Sequence, residues 1–324
     1  MLNFEKARQI VNNELEKYPF DSNPTELYDP VRYILQLGGK RIRPALTLMA
    51  CSVYNDAVHQ AIKPALAYEV FHNFTLLHDD IMDNSAMRRG KKTVHEKWNP
   101  NIAILSGDAM LILSYRILSE SGDEHLKNLF QIFTSTALQV CEGQQWDMNF
   151  ENRMDVSVED YLKMIELKTA VLLAASLKSG AITGGADNLE SDLMYEFGRN
   201  LGIAFQIRDD YLDVYGDPKV FGKKIGNDIL TNKKTFLLIK ALELSEGKSD
   251  EELNRWLTRE NFEPRKKIKE ITKIFTSLEI DRISLEIAEK HYDKALQYLE
   301  RLNVSPERKI PLIDFSRNLI ERTK

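Results

Sequence analysis

The sequence predicts an all-α fold, a single helical bundle of about a dozen helices. Apolar residues recur three and four positions apart along most of the chain, which is the helical period, and few stretches alternate as strands do. The 324 residues are 43% hydrophobic, enough for a large core, and include only 15 Gly and 10 Pro. No Gly-, Ser- or Pro-rich linker divides the chain, so we predict one domain over residues 1–324.

The predicted helices follow one another in chain order. In the first half, the periodic segments are 10–15, 31–37, 45–53, 65–77, 102–118 and 126–140. In the second half, they are 162–177, 193–214, 235–244, 268–275, 283–302 and 312–320. Glycines and prolines predict the loops between these segments, at Gly38, Gly39, Gly90, Gly107, Gly184, Gly185, 216–218 and Gly226.

Composition and charge exclude several classes of protein. A formal net charge of -5 does not predict binding to nucleic acid or to an anionic membrane. Two cysteines, Cys51 and Cys141, are too few for a disulfide framework and favour a reducing compartment. Charged residues interrupt the N-terminal segment, and the apolar stretches fall short of the ~18 residues needed to cross a bilayer. We therefore expect a soluble, cytoplasmic protein without a membrane span.

Two Asp-rich motifs lie inside predicted helices. The first occupies residues 79–83 (Asp-Asp-Ile-Met-Asp) and the second residues 209–213 (Asp-Asp-Tyr-Leu-Asp). Positions four apart on a helix differ by only about 40° around its axis, so the first and last Asp of each motif share a face. Asp runs also cap helices or lie on solvated faces, but two copies with apolar flanks favour two carboxylate sites.

Carboxylates grouped in this way require cations. Two carboxylates 4 Å apart repel by about 4 kcal/mol at an effective dielectric constant near 20. Oxygen ligands favour Mg²⁺ or Ca²⁺ over zinc, and Mg²⁺ usually takes one or two carboxylates together with water and phosphate oxygens. A basic segment follows each motif within a few residues, 88–92 after the first and 219–234 after the second. The pairing predicts a magnesium-assisted diphosphate site.

Three further segments give these motifs a family context. They are 38–44 (Gly-Gly-Lys-Arg-Ile-Arg-Pro), 88–90 (Arg-Arg-Gly) and the pair Lys168 and Thr169. In this order and spacing, the motifs resemble those of the trans-prenyltransferase (polyprenyl diphosphate synthase) family over almost the whole chain. The resemblance implies an isoprenoid synthase-like bundle around a central active-site cavity, formed by a single polyprenyl synthetase domain.

The resemblance also implies a role for individual residues. Three Mg²⁺ ions would be bound by Asp79, Asp80, Asp83, Asp209, Asp210 and Asp213. An allylic diphosphate would be bound by Arg88, Lys168, Thr169, Gln206, Lys223 and Lys233. Isopentenyl diphosphate would be bound without metal by Lys40, Arg43, His72 and Arg89. His72 lies seven residues before Asp79, about 20° away around a helix, which favours a ligand role over a core histidine.

The reaction implied by the family joins isopentenyl diphosphate to dimethylallyl, geranyl or farnesyl diphosphate. The allylic carbon–oxygen bond ionises, the isopentenyl double bond attacks the cation, and a proton is lost. Lys168, Thr169 and Gln206 would be the catalytic residues, and a helix kinked near Lys168 would offer a backbone carbonyl. The released diphosphate would remove the proton, so the sequence predicts no catalytic base.

Product length depends on the helix before Asp79. The family places a bulky floor five residues upstream, here Phe74, with Phe71 one turn further. These residues lie about 7.5 Å and about 12 Å along the axis from Asp79. Thr75 and Tyr68 lie nearer the face of Asp79, so they also belong to the predicted chain-length set. The pattern predicts farnesyl or geranylgeranyl diphosphate, with longer polyprenyl products as the alternative.

Three other functions compete with this interpretation. A terpene cyclase would share the first Asp motif but does not need segment 38–44. An HD-type phosphohydrolase is suggested by His78 beside Asp79 but needs more histidine ligands. A non-catalytic partner subunit would be expected to have lost one Asp motif. The family also implies a homodimer, for which segment 102–118 is either the contact face or part of the core.

Overall fold

The computed structural model describes residues 2–151, 153–217 and 225–321, and most of them are helical. The helices of the N-terminal part are α1 (Phe4–Lys17), α2 (Thr25–Gln36), α3 (Ile42–Tyr54), the 3₁₀ turn Val58–Ala61, α4 (Ile62–Met82), α5 (Val94–Lys97), α6 (Pro100–Ser119) and α7 (Asp123–Glu151). They continue with α8 (Val158–Ile165), the π-helical turn Glu166–Ala170, α9 (Val171–Thr183), α10 (Asn188–Tyr215), α11 (Asn227–Leu230), α12 (Phe236–Leu244), α13 (Gly247–Thr258), α14 (Pro264–Ser277), α15 (Ile280–Glu300) and α16 (Pro306–Glu321). The all-α prediction is confirmed.

The structure departs from the predicted helices at two points that have a clear physical reason. Gly107 lies inside α6 and not in a loop, and glycine is needed there because the ring of His78 occupies the space that a Cβ would need. Helix α13 was not predicted, since it is mostly polar and buries only Leu253 fully. Its capping box between Glu246 and Ser249 begins the helix in place of a strong apolar pattern.

In the described residues, strands are limited to one short hairpin, β1 (Met87–Arg88) and β2 (Lys91–Lys92). Met87 pairs with Lys92 and Arg88 with Lys91. The two turn residues, Arg89 and Gly90, both have positive φ values of 51° and 75°. Such values fit a two-residue hairpin turn. The predicted basic loop is therefore a hairpin that fixes the directions of Arg88 and Arg89.

The chain forms two compact units. The first comprises Met1–Ser135, Ala175–Tyr195 and Leu302–Leu312, and the second comprises the remaining segments. In the first unit, α3 is buried from Pro44 to Val53 and packs against α1 and α4. In the second, apolar side chains of α8, α10 and α12 to α15 form the core. The single domain over 1–324 stays a prediction.

Helix α6 contradicts the expectation that every apolar segment is too short for a membrane. By length and mean hydropathy it could cross one, and 44% of its apolar window is buried. The core helix of a globular protein can have the same length and hydropathy. Helix α6 packs against α2 and α4. The Ser106 hydroxyl donates to the Leu27 carbonyl of α2 (3.0 Å).

Candidate active site

The first Asp motif lies at the C-terminal end of α4. Asp79 belongs to the last helical turn, and Asp83 is the C-cap, with its N–H donating to the Asp79 carbonyl (2.9 Å). The two residues are therefore one turn apart, as the spacing predicted. Asp80 is only 3% exposed and accepts two hydrogen bonds from Arg88, both 2.7 Å long. Burial raises the pKa of Asp80, and the bonds from Arg88 oppose that rise.

A cluster of basic residues lies beside this motif in the first unit. His72 is two turns before Asp79 on α4, and Arg43 Nη1 donates to its Nε2 (3.1 Å). Arg89 donates to the Gly38 carbonyl. A Cβ on Gly39 would lie 2.9 Å from the Arg89 guanidinium, and Gly39 has a φ of 141°, so only glycine fits there. Lys40 is exposed next to them.

The electrostatics of this basic cluster suit an anion. Burial lowers the pKa of Arg43 to about 10, with Glu69 opposing the shift. Burial and the neighbouring arginines, Arg43 foremost, hold the pKa of His72 well below its usual value. His72 is therefore neutral at neutral pH. Arg43 Nε is buried and has no hydrogen-bond partner among the described residues, so a donor remains for a ligand.

Arg41 has a different role from the other arginines of segment 38–44. It is buried, forms an ion pair with Glu69, and donates to the Leu35 carbonyl (2.6 Å). Asn73 donates to the same Glu69 carboxylate (2.9 Å). Because Arg41 is paired in this way, Arg43 and Arg89 carry the charge of the basic cluster. Sequence reasoning missed Glu69, although a carboxylate inside the apolar run of 65–77 was a visible signal.

The second Asp motif lies near the end of α10 in the second unit. Asp210 is buried and accepts hydrogen bonds from the Tyr161 hydroxyl (2.7 Å) and from Gln206 Nε2 (2.9 Å). Thr169 in turn donates to Gln206 Oε1 (3.1 Å). Burial raises the pKa of Asp210 to about 7, with a further contribution from Asp228. The structure thus brings together Thr169, Gln206 and Asp210 and adds Tyr161.

The last Asp of this motif holds the segment that follows α10. Asp213 Oδ2 accepts the N–H of Asp228 (3.0 Å), and the Asp213 carbonyl accepts the N–H of Gly226 (2.6 Å). Lys233 N–H donates to the Asp228 carbonyl (2.9 Å), so Lys233 is tied to the same segment. Lys223 lies outside the described residues.

The π-helical turn Glu166–Ala170 carries Lys168 and Thr169, at the place where the sequence indicated a kink. Lys168 Nζ forms an ion pair with Asp147 of α7 (2.6 Å). Gly143 and Gly202 make room for the turn, since a Cβ on either residue would collide with its backbone. Sequence reasoning missed Asp147, because one carboxylate in a mostly polar helix carries no distinctive pattern.

The predicted chain-length residues lie in an aromatic cluster of the first unit. Tyr68, Phe71 and Phe74 are buried, while Thr75 is half-buried and donates to the His72 carbonyl. Phe133 of α7 was not predicted, yet its ring lies 5.2 Å from that of Tyr68 and 5.4 Å from that of Phe71. Phe71 also contacts Phe74 at 5.5 Å.

The donor set of the two motifs fits a hard divalent cation. Its atoms are carboxylate oxygens, the ligands that Mg²⁺ and Ca²⁺ prefer. In the part of the chain that the structure describes, no three Asp, Glu, His or Cys side chains converge closely enough to hold a metal alone. A cation at either motif would therefore complete its shell with water or phosphate oxygens.

A helical fold with two Asp motifs and a separate basic cluster defines a prenyltransferase that acts on diphosphates. The polyprenyl synthetase family model matches residues 24–275, so the chain belongs to this family.

Individual proteins agree with this assignment. The chain is 46% identical to a geranylgeranyl pyrophosphate synthase of known crystal structure, with a TM-score of 0.95 and full coverage of both chains. It is 38% identical to the geranylgeranyl pyrophosphate synthase of Geoglobus acetivorans, over 97% of this chain and 96% of that protein. It is 28% identical to the polyprenyl synthase of Caulobacter crescentus CB15, whose structure is complexed with calcium and isoprenyl diphosphate. The TM-score for that pair is 0.87, with 99% of this chain and 96% of the other covered.

Proposed function

We propose that this chain condenses isopentenyl diphosphate with an allylic diphosphate to give a short all-trans prenyl diphosphate. The observation that carries the proposal is the basic cluster of Arg43, His72 and Arg89 on and beside the helix that bears the first Asp motif. Magnesium-bound carboxylates serve one diphosphate, whereas a second diphosphate needs positive side chains of its own. A terpene cyclase has no need for that second site.

Isopentenyl diphosphate binds to this basic cluster. Arg43 and Arg89 supply guanidinium donors, Lys40 adds charge at the exposed edge, and His72 orients Arg43 through their hydrogen bond. The buried, unpartnered Nε of Arg43 gives a donor that a phosphate oxygen satisfies. Because Nε2 accepts from Arg43, neutral His72 carries its proton on Nδ1.

The allylic diphosphate is the substrate that Mg²⁺ would hold, and the carboxylates of the two Asp motifs would supply protein ligands for three Mg²⁺ ions. Asp79, Asp83 and Asp209 are the principal ligands. When bound, Mg²⁺ supplies positive charge that stabilises the departing diphosphate. Asp80 acts by orienting Arg88, and Asp210 and Asp213 are held by their own partners as outer ligands. The remaining oxygens are bound by Arg88, Lys168, Lys223 and Lys233.

The chain's own residues then guide ionisation and carbon–carbon bond formation. Lysine and arginine side chains stabilise the negative charge that develops on the diphosphate oxygens. Thr169 Oγ1 and Gln206 Oε1 hold each other and present lone pairs to the allylic cation. The π-helical turn, in which the Glu166 carbonyl accepts the N–H of Val171, sets the positions of Lys168 and Thr169. The departing diphosphate takes the proton.

The product is geranylgeranyl diphosphate. Farnesyl diphosphate is the first alternative, and longer polyprenyl diphosphates are the second. Phe74 and Phe71 form the floor for the growing tail, backed by Tyr68 and Phe133. The similar proteins described above that are named geranylgeranyl pyrophosphate synthases support this length. Thr75, half-buried and small, leaves room beside the floor.

The enzyme acts as a homodimer in the cytoplasm. Support for the dimer comes from α6, which exposes the apolar side chains of Ile104, Leu105 and Ile112. Support for the location comes from its cysteines, since Cys51 and Cys141 are both free thiols.

The test is incorporation of labelled isopentenyl diphosphate by the purified chain, with dimethylallyl, geranyl or farnesyl diphosphate as primer. We expect extension with Mg²⁺ and none with excess chelator. Asp79→Asn and Asp209→Asn should each lower turnover by roughly a hundredfold or more. Asp108→Asn, an exposed carboxylate on α6, should not. Failure to extend every primer contradicts the proposal, and a hydrocarbon formed without isopentenyl diphosphate indicates a cyclase.

A further inference from the structure

Lys267 is a buried cation that the reaction described above does not use. It lies in the first turn of α14, and its side chain has no solvent exposure. In the part of the chain that the structure describes, no carboxylate lies within ion-pair distance of its Nζ. Burial lowers the pKa of Lys267. A long side chain with a polar tip is seldom buried without a structural or functional reason.

The ammonium group of Lys267 is held by one turn of the backbone. Nζ donates to the Asn232 side-chain oxygen (2.7 Å) and to the Leu230 carbonyl (3.3 Å). It also lies 4.3 Å from the centroid of the Phe262 ring. Two of the three contacts therefore come from residues 230–232, which we call the lysine-held turn.

The lysine-held turn has an unusual backbone that needs such support. Asn232 has a φ of 54°, in the left-handed region that costs energy for residues other than glycine. Its side-chain amide donates to the Leu257 carbonyl of α13 (3.0 Å) while its Oδ1 accepts from Lys267. Both ends of the Asn232 amide are thus used to hold this conformation.

The lysine-held turn leads directly to Lys233, one of the proposed diphosphate-binding residues. Lys233 N–H donates to the Asp228 carbonyl, and Asp228 N–H donates to Asp213 of the second Asp motif. The residue after Lys267, Ile268, supports the other end of the same segment. A Cβ on Gly226 would lie 2.7 Å from Ile268 Cδ1. The first turn of α14 therefore braces residues 226–232 at both ends.

We propose that Lys267 is a positioning residue that fixes the lysine-held turn so that Lys233 binds the allylic diphosphate. The inference rests on the proposed function for the identity of that ligand. Lys267 itself does not contact substrate. Its ammonium group binds one backbone carbonyl and one side-chain oxygen of a strained turn, and the charge is tolerated because these oxygens and an aromatic face surround it.

The test compares Lys267→Met, which keeps the length and removes the charge, with Lys267→Arg, which keeps the charge. The matched control is Lys266→Met, an exposed neighbour on the same turn. For Lys267→Met we expect KM for the allylic diphosphate to rise roughly tenfold and KM for isopentenyl diphosphate to stay within about twofold. Lys267→Arg should recover part of the loss, and Lys266→Met should behave like wild type.

A double-mutant cycle with Lys233→Ala separates positioning from general stability. If Lys267 acts through Lys233, Lys267→Met should change allylic KM little once Lys233 is absent. The proposal is overturned if the effects of Lys267→Met and Lys233→Ala on allylic KM are fully additive. It is also overturned if Lys267→Met lowers Tm and leaves both KM values unchanged. If Lys267→Met does not fold, Asn232→Gly keeps the left-handed backbone, removes the acceptor of Lys267, and should give the same KM pattern.

Affinity for inorganic pyrophosphate with Mg²⁺, measured by calorimetry, needs no turnover. Weaker pyrophosphate binding by Lys267→Met supports the inference even if no primer is extended. The absence of primer extension would count against the proposed function alone. Equal affinity for the wild-type and Lys267→Met proteins overturns the inference.

Discussion

The middle carboxylate of each Asp motif is buried and already paired with the protein. Asp80 accepts two bonds from Arg88, and Asp210 accepts bonds from Tyr161 and Gln206. These partners fix the two side chains before any ligand arrives. The middle carboxylates are consequently suited to orient the residues around the two motifs.

His72 should make stability fall at acidic pH. Its pKa in the folded protein lies well below the ordinary 6.5. As the pH falls below 6.5, the histidine of the unfolded chain takes up a proton that folded His72 does not, so the free energy of unfolding decreases. His72→Gln removes this effect. Urea unfolding of both proteins at pH 7.5 and pH 5.5 should show wild type losing more stability than the variant.

The control for this titration is His59→Gln, because His59 is exposed. An identical loss of stability in wild type and His72→Gln between the two pH values would show that His72 titrates normally.

Phe74→Ala should lengthen the product by at least one isoprene unit. Phe74 is the first buried ring on α4 before the Asp motif, and Phe71 lies behind it at 5.5 Å. Removing the ring opens space along the path of the tail, at a stability cost of about 3–5 kcal/mol. Chromatography of the products, on protein whose Tm has been checked, measures the change. If only Phe71→Ala or Tyr68→Ala lengthens the product, the floor lies deeper.

Individual residues differ in how far the sequence predicts them. The Asp motifs follow from spacing and charge, because each depends on local chain geometry, whereas the Arg43, His72 and Arg89 set follows from the resemblance to the family. Asp147, Tyr161 and Phe133 could not be predicted, since each acquires its role from a partner distant in sequence, such as Lys168 for Asp147. Single residues without a local pattern give sequence reasoning nothing to detect.

At the scale of elements, the π-helical turn is the least regular helical segment near the site, and glycine makes it possible. Gly202 of α10 lies against Ala170, the last residue of that turn, and a Cβ there would lie 2.6 Å from Ala170 Cα. The sequence indicated an irregularity near Lys168 but not its type, which depends on this approach of two backbones. Patterns of side chains do not report such an approach.

Gly202→Ala should destabilise the protein by about 1–3 kcal/mol and lower kcat, because it displaces the turn that carries Lys168 and Thr169. Thermal unfolding and steady-state kinetics measure the two effects. Gly122→Ala is the matched control, since no heavy atom lies within 4 Å of a Cβ there. Equal stability of the two alanine variants would mean that α10 and the turn are not in close contact.

At the scale of the whole molecule, fold class followed from the sequence because helical periodicity repeats along the entire chain. The boundaries were less predictable: α13 has a weak apolar pattern, and the glycine inside α6 is explained only by His78 packing against it. The apolar character of α6 was underestimated as well. Its outer face, where Leu105 and Ile112 are exposed, is the proposed dimer contact.

The proposed homodimer should depend on that outer face of α6. Leu105 is 59% exposed and Ile112 is 69% exposed, seven residues apart on one side of the helix. Leu105→Glu combined with Ile112→Glu should shift the protein from dimer to monomer in sedimentation velocity. Leu189→Glu, an equally exposed apolar position on another helix, should not. A wild-type monomer at micromolar concentration would contradict this proposal.

The central claim is that the two substrates use different side chains, the allylic diphosphate the Asp motifs and isopentenyl diphosphate the basic cluster. Steady-state kinetics of Asp209→Asn and Arg89→Met, with each substrate varied in turn, test it most directly. We expect Asp209→Asn to raise KM mainly for the allylic diphosphate and Arg89→Met to raise KM mainly for isopentenyl diphosphate, each by roughly tenfold or more. If both variants raise both KM values equally, the two diphosphates do not have separate sites and the account is wrong.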